Sequence, residues 1–174
     1  YHSDPFFIHV GNFNQQKNQM FLIDIFYRLR RIFPNARLCM IGQESDYQDK
    51  VKEKIIQYNL STSVNILPHD TNVAEMLSQS DIFIFPSTFE GFGNVLIEAQ
   101  AMGLPCFVSE VVTEEADCGR LEFIKLSDGA TKWAETIRDY ILNTGLNKRP
   151  VNVDRFSCEN NTNSILKLYM GVKK

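Results

Sequence analysis

The chain has 174 residues, 44% of them hydrophobic, which is enough for one well-buried α/β domain and too little for two. Its 18 basic and 21 acidic residues are spread along the sequence and give a net charge of −3, so there is no basic stripe of the kind that nucleic-acid binders carry. No apolar run approaches the roughly 20 residues of a membrane span, and no signal-peptide pattern opens the chain.

Phe6 to Val10 (FFIHV) predicts a strand, and Gly11 to Lys17 a polar loop. A helix is expected from about Asn18 to Ile32, with Met20, Ile23, Phe26 and Tyr27 as its inner stripe and Pro34 as its stop. Arg37 to Ile41 reads as a second strand closed by Gly42. Asp46 to Tyr58 reads as a charged, exposed helix burying Val51, Ile55 and Tyr58. Asn65 to Leu67 is a third strand and Val73 to Ser80 a short helix. Ile82 to Phe85 is a continuous apolar run ended by Pro86, the pattern of a parallel strand buried on both faces.

Ser87 to Phe92 is then a loop. A helix opens at Gly93–Asn94, runs through Val95, Ala99 and Met102, and stops at Gly103 with Pro105 behind it. Cys106 to Val108 begins a fifth strand. Glu110 to Gly119 is acidic and irregular, Glu122 to Leu126 is a sixth strand, and Lys132 to Leu142 is an amphipathic helix carrying Trp133, Ile137 and Ile141. Asn143 to Asp154 is a connection and Cys158 to Met170 a final helix. The alternation predicts an α/β fold: a doubly wound, mostly parallel, six-stranded Rossmann-like sheet over residues 1–156, followed by a closing helix within 157–174.

In the strand order 3-2-1-4-5-6 the first and fourth strands are neighbours, and the crevice at their carboxyl ends is the ligand site. The loops Gly11–Lys17 and Ser87–Phe92 leave from those ends, so two segments distant in sequence should meet over one cleft. Glu98 lies four residues past Asn94 and shares its helix face. It projects toward the opening lined by the free N–H groups of the first turn, a place that attracts phosphate. A carboxylate there repels phosphate in contact, so its partner is a neutral hydroxyl pair such as a ribose diol. Lys17, at the mouth of the first helix, is unfavourable to the helix dipole and calls for an anion.

Other chemistries lack their signatures. No G-x-G-x-x-G follows the first strand, no P-loop motif is present, and no cluster has divalent-metal spacing. Cys39, Cys106, Cys118 and Cys158 have no zinc spacing and read as free thiols in a reducing compartment.

The pattern Glu90-Gly91-Phe92-Gly93, then Glu98-Ala99, then Gly103-Leu104-Pro105 resembles the E-x7-E motif of retaining glycosyltransferases of family 4, in the second Rossmann-like domain of their GT-B fold. The likeness extends through HVGNFNQQKN, LCMIG, NILPHD and SEVVTEE to nearly the whole chain, and is nearest to capsular and exopolysaccharide enzymes. It implies that Lys17 binds the diphosphate of a nucleotide-sugar donor, with Gly11 and Asn12 in the same loop. It implies that Glu98 accepts hydrogen bonds from the ribose and that Glu90 lies near the donor sugar and the reaction centre, Lys17 and Glu90 being the catalytic pair.

Gly91 and Gly93, flanking Phe92, would let backbone amides approach the sugar, and Asn94 and Val95 would offer first-turn N–H groups to the diphosphate. His69 falls near the expected base pocket and reads equally as a surface histidine. The family commonly has an arginine where this chain has Asn12, which leaves one side-chain cation at the phosphate.

The resemblance further implies metal-independent transfer from a nucleotide-sugar, a UDP-sugar above all, to a saccharide or lipid-linked acceptor. It implies no separate cofactor, and a cytoplasmic enzyme whose membrane association resides elsewhere in the intact protein. A complete GT-B enzyme needs about twice this length, so an N-terminal domain is the expected partner and the chain alone is expected to be inactive. A nucleotide-sugar epimerase of the same architecture and a flavodoxin-like interaction module remain alternatives.

Overall fold

Ile82, Phe83, Ile84 and Phe85 are all buried and lie at the middle of the sheet, where a strand covered on both faces needs apolar side chains in every position. The computed structural model describes residues 4–149 and 151–156. Six strands, β1 (Phe6–Val10), β2 (Arg37–Ile41), β3 (Val64–Leu67), β4 (Ile82–Phe85), β5 (Cys106–Ser109) and β6 (Leu121–Ile124), form one sheet in the order β3-β2-β1-β4-β5-β6. Every neighbouring pair is parallel, and β1 meets β4 through Phe7 opposite Ile82 and Ile8 opposite Phe83. The chain winds outward in both directions from this pair, as the alternation predicts.

Among the described residues five helices cover the sheet: α1 (Gln19–Ile32), α2 (Asp46–Gln57), α3 (Val73–Gln79), α4 (Asn94–Ala101) and α5 (Gly129–Thr144). One core, containing Phe7, Leu22, Phe26, Val51 and Trp133, packs α1, α2 and α5 on one face. A second, containing Ile8, Phe83, Phe85, Leu77, Leu96 and Ala99, packs α3 and α4 on the other. Cys39 and Cys106 are free and buried, and burial raises the Cys39 thiol to about 11. Cys118 is free and half-buried, while Cys158 and the expected closing helix lie outside the described residues. No helix among the described residues is long and apolar enough to cross a membrane.

Several local expectations need correction. The inner stripe of α1 is Leu22, Ile23, Ile25, Phe26 and Leu29, with Met20 and Tyr27 only half-buried, because α5 and α2 flank the helix and widen its covered arc. Tyr58 is half-buried just past α2, where its hydroxyl donates to Asp24 at 2.9 Å. The sixth strand starts one residue earlier and stops at Ile124, since Leu126–Asp128 turns to lead into α5, which begins at Gly129 instead of Lys132. The 110–119 segment holds a short 3₁₀ turn at Glu114–Ala116 and is fastened to α4. The buried Gln100 amide donates to Ala116 O at 2.8 Å and accepts from Cys118 N at 2.7 Å. α4 ends as the sequence indicates: Gly103 (φ 82) donates to Gln100 O and Leu104 to Ala99 O, the paired bonds of a Schellman stop.

Candidate functional site

Because all six strands run the same way, their carboxyl ends share one edge, and the loops after β1 and β4 are stitched together there. Thr88 N donates to Gln16 O at 2.7 Å, and the Asn18 amide donates to Pro86 O at 3.1 Å. Asn18 precedes α1 with φ 57 and ψ 40, a left-handed turn that asparagine tolerates better than most side chains. The expected meeting of residues 11–17 with residues 87–92 over one cleft is therefore present.

In that cleft Lys17 Nζ lies 2.5 Å from Glu90 Oε2 and 4.6 Å from the centre of the Phe85 ring. The lysine backbone N–H is held by Asn14 Oδ1 at 2.9 Å. Lys17 and Glu90 are 17% and 10% exposed, so the pair is largely withdrawn from water, where it gains more from attraction than a surface pair does. The anion that Lys17 calls for is thus supplied from within the chain.

Beyond the pair, α4 opens with Gly93 in the left-handed region (φ 69), with no side-chain cap and no acidic residue in its first turn. The Asn94 and Val95 N–H groups make no hydrogen bond among the described residues, leaving donors and the positive end of the helix dipole facing the cleft. Glu98 is exposed one turn further on, and its side chain makes no hydrogen bond or ion pair among the described residues. Gly91 is exposed, and a Cβ there would meet nothing within 4 Å. Phe92 is half-buried, its ring 5.4 Å from that of Phe156 in an edge contact.

Three other expected residues, Gly11, Asn12 and His69, lie in loops along the same edge. Asn12 is exposed, and its side-chain oxygen accepts from Gln43 N at 3.3 Å, tying the loop after β1 to the loop after β2. Gly11 packs against that second loop: Gly11 N donates to Ile41 O at 2.8 Å, and a Cβ on Gly42 would fall 2.2 Å from Gly11 O. His69 is exposed in the turn after β3, at the outer end of the same edge.

The sequence reading passed over a buried pair beneath the site. His9 of β1 has no exposure; its Nδ1 donates to Ile84 O at 2.9 Å, and its ring lies 5.7 Å from Phe85. Gln19, the first residue of α1, is equally buried and directs Nε2 at His9 Nε2 (3.3 Å), Gly11 O (3.2 Å) and Asn12 O (3.1 Å). The signal was available as one titratable residue inside the apolar run FFIHV and one amide at the head of an apolar helix face.

Residues 1–153 match the family model described as glycosyl transferases group 1. The chain belongs to this family. It is 34% identical over 131 residues to the putative glycosyltransferase EpsF of Bacillus subtilis strain 168, a match covering 74% of the chain and 34% of that protein. Among solved structures, a glycosyltransferase from Rickettsia africae superimposes with a TM-score of 0.82 at 22% identity, over 98% of this chain and 48% of that one. Anabaena HepE in complex with UDP and glucose gives 0.71 at 19% identity, over 81% of this chain and 39% of that one. The chain thus spans about a third of its curated relative and about half or less of these solved chains. The fold is that of one Rossmann-like domain of a GT-B glycosyltransferase.

Proposed function

We propose that this domain binds the nucleotide-sugar donor of a retaining, metal-independent glycosyltransferase of family 4. The observation that carries the reading is the convergence, at one edge of the sheet, of a partly buried lysine, the uncapped start of α4 and a Glu98 side chain unpaired among the described residues. Lys17 and the Asn94 and Val95 N–H groups suit a diphosphate, and Glu98 suits the ribose hydroxyls beside it. UDP is the nucleotide of choice, since the structurally similar HepE is seen with UDP and glucose.

In such a site Lys17 and the dipole of α4 stabilise the departing nucleoside diphosphate, which is electrostatic catalysis at the leaving group. Glu90, held against Lys17, stands beside the place of the sugar. The acceptor is a saccharide or lipid-linked saccharide, a reading that rests on the resemblance to capsular and exopolysaccharide enzymes. A second domain forms the other wall of the cleft, and the transfer occurs on the cytoplasmic side of the membrane.

Calorimetry of the purified chain with UDP, uridine, ADP and GDP tests the binding half: UDP is expected to bind with a clear preference over uridine. No binding of any nucleoside diphosphate overturns the reading in favour of an interaction module. Transfer is tested on the chain with and without its N-terminal domain, in the presence of EDTA. Robust transfer by the 174-residue chain alone, or loss of transfer on chelation, contradicts the proposal.

A further inference from the structure

We infer that His9 and Gln19 are positioning residues: together they form a buried, uncharged clasp that holds the Lys17 loop against β4 and so sets where the lysine is presented. The inference rests on the reading of Lys17 as a phosphate-binding residue.

The chemistry of the clasp follows from its partners. A carbonyl only accepts, so the contact with Ile84 O places the imidazole proton on Nδ1 and leaves Nε2 bare. The bare nitrogen then accepts from Gln19, whose two amide hydrogens are shared among His9 Nε2, Gly11 O and Asn12 O. Reversing the amide would set its oxygen against three acceptors, so only one orientation is compatible with these neighbours. That orientation leaves Gln19 Oε1 buried and without a partner among the described residues. A buried unpaired oxygen is a standing penalty, and it persists here because the opposite end of the amide is needed where it is.

Through these bonds two side chains join β1, β4, α1 and the loop after β1. Lys17 is two residues from Gln19, separated by Asn18, which itself bonds to Pro86 O. On its other side the lysine head rests on Phe85, whose ring lies beside that of His9. Backbone and ammonium group of Lys17 are therefore both referenced to the same buried pair, while neither His9 nor Gln19 is accessible to a ligand.

The test uses Gln19→Met and His9→Phe, which keep volume and remove the hydrogen bonds. In the ligand-free chain, the side-chain carbon resonance of Lys17 is compared with wild type and with Glu90→Gln, which releases the lysine directly. Both clasp variants are expected to move the resonance toward the Glu90→Gln position, and to weaken UDP binding about tenfold or more while uridine changes less than twofold. An unmoved lysine resonance and an unchanged UDP-to-uridine ratio in folded Gln19→Met overturn the inference. Should His9→Phe fail to fold, Gln19→Met decides alone, since its contacts are confined to the loop and His9. If wild type binds no nucleoside diphosphate, the donor-site reading falls, and the lysine resonance still decides the clasp.

Discussion

Lys17 and Glu90, 73 residues apart, meet at 2.5 Å over the Phe85 ring, so the cleft satisfies its partly buried lysine from within the chain. A diphosphate entering this site competes with Glu90 for the lysine. Glu90→Gln is therefore expected to strengthen UDP binding several-fold while lowering transfer by the intact enzyme, and calorimetry beside a transfer assay separates the two effects. Weaker UDP binding in Glu90→Gln would show that the carboxylate orders Lys17 more than it competes for it.

On the proposed reading Lys17 binds the diphosphate and neither the ribose nor the base, so Lys17→Ala should cost UDP much more than uridine. Asn12→Arg tests the same geometry in the opposite direction. A guanidinium there gives up the bond to Gln43 N, and gains on the order of 1 kcal/mol for UDP and almost nothing for uridine. Added salt should erode that gain. Equal effects on both ligands would place the loop after β1 away from the phosphates.

Glu98→Gln should weaken nucleotide binding by about 1–3 kcal/mol through loss of charge-assisted bonds to the ribose. Because Glu98 is exposed and unpaired among the described residues, the melting temperature should not change. Unchanged affinity in the folded variant would remove Glu98 from the site.

The two loop glycines separate folding from binding. Gly93 has φ 69 and a Cβ there would fall 3.1 Å from Leu96 Cδ1, so Gly93→Ala should destabilise the chain by at least about 1 kcal/mol, through a left-handed alanine and the crowding of Leu96 together. Gly91→Ala adds a methyl group to open space and should leave stability unchanged, yet weaken binding of a nucleotide-sugar more than of UDP, since the methyl group stands where the sugar would approach. Thermal melts and paired titrations check both, and equal losses for the two ligands would place Gly91 away from the sugar.

Acid should loosen the fold through His9. Burial lowers its imidazole to about 4 from an ordinary 6.5; the bond to Ile84 O opposes that shift and nearby Lys17 adds to it. Between those values the unfolded chain binds the additional proton, so the contribution to stability is complete above about pH 6.5 and is lost as pH falls toward 4. The loss amounts to roughly 3 kcal/mol at pH 4. His9→Phe should lack that component, which denaturation midpoints across the range would reveal as a flatter profile.

How much of this was legible in the sequence follows from the range of each interaction. β4 and the Gly103 stop rest on local apolar runs and helix breakers, so they were readable along the chain, whereas the order of the strands was supposed from the doubly wound class, since the handedness of βαβ connections narrows the orders without choosing one. The meeting of the two loops followed from that order. The Lys17–Glu90 pair, the tie from Asn12 to Gln43 and the bridge from Gln100 to Ala116 and Cys118 join residues far apart in sequence or depend on side-chain direction, and nothing local announces them. The half-buried state of Met20 and Tyr27 was likewise hidden, because it depends on where α5 lies.

The parallel sheet also gives the molecule two unlike edges, with the candidate cleft on one of them. Every turn entering a strand lies at the amino edge, opposite the cleft, and Thr62 in the turn before β3 is exposed there. With the half-buried Cys118 replaced, a cysteine placed at Thr62 offers a handle for tethering the domain to a sensor chip or a fluorophore, with the cleft facing solution.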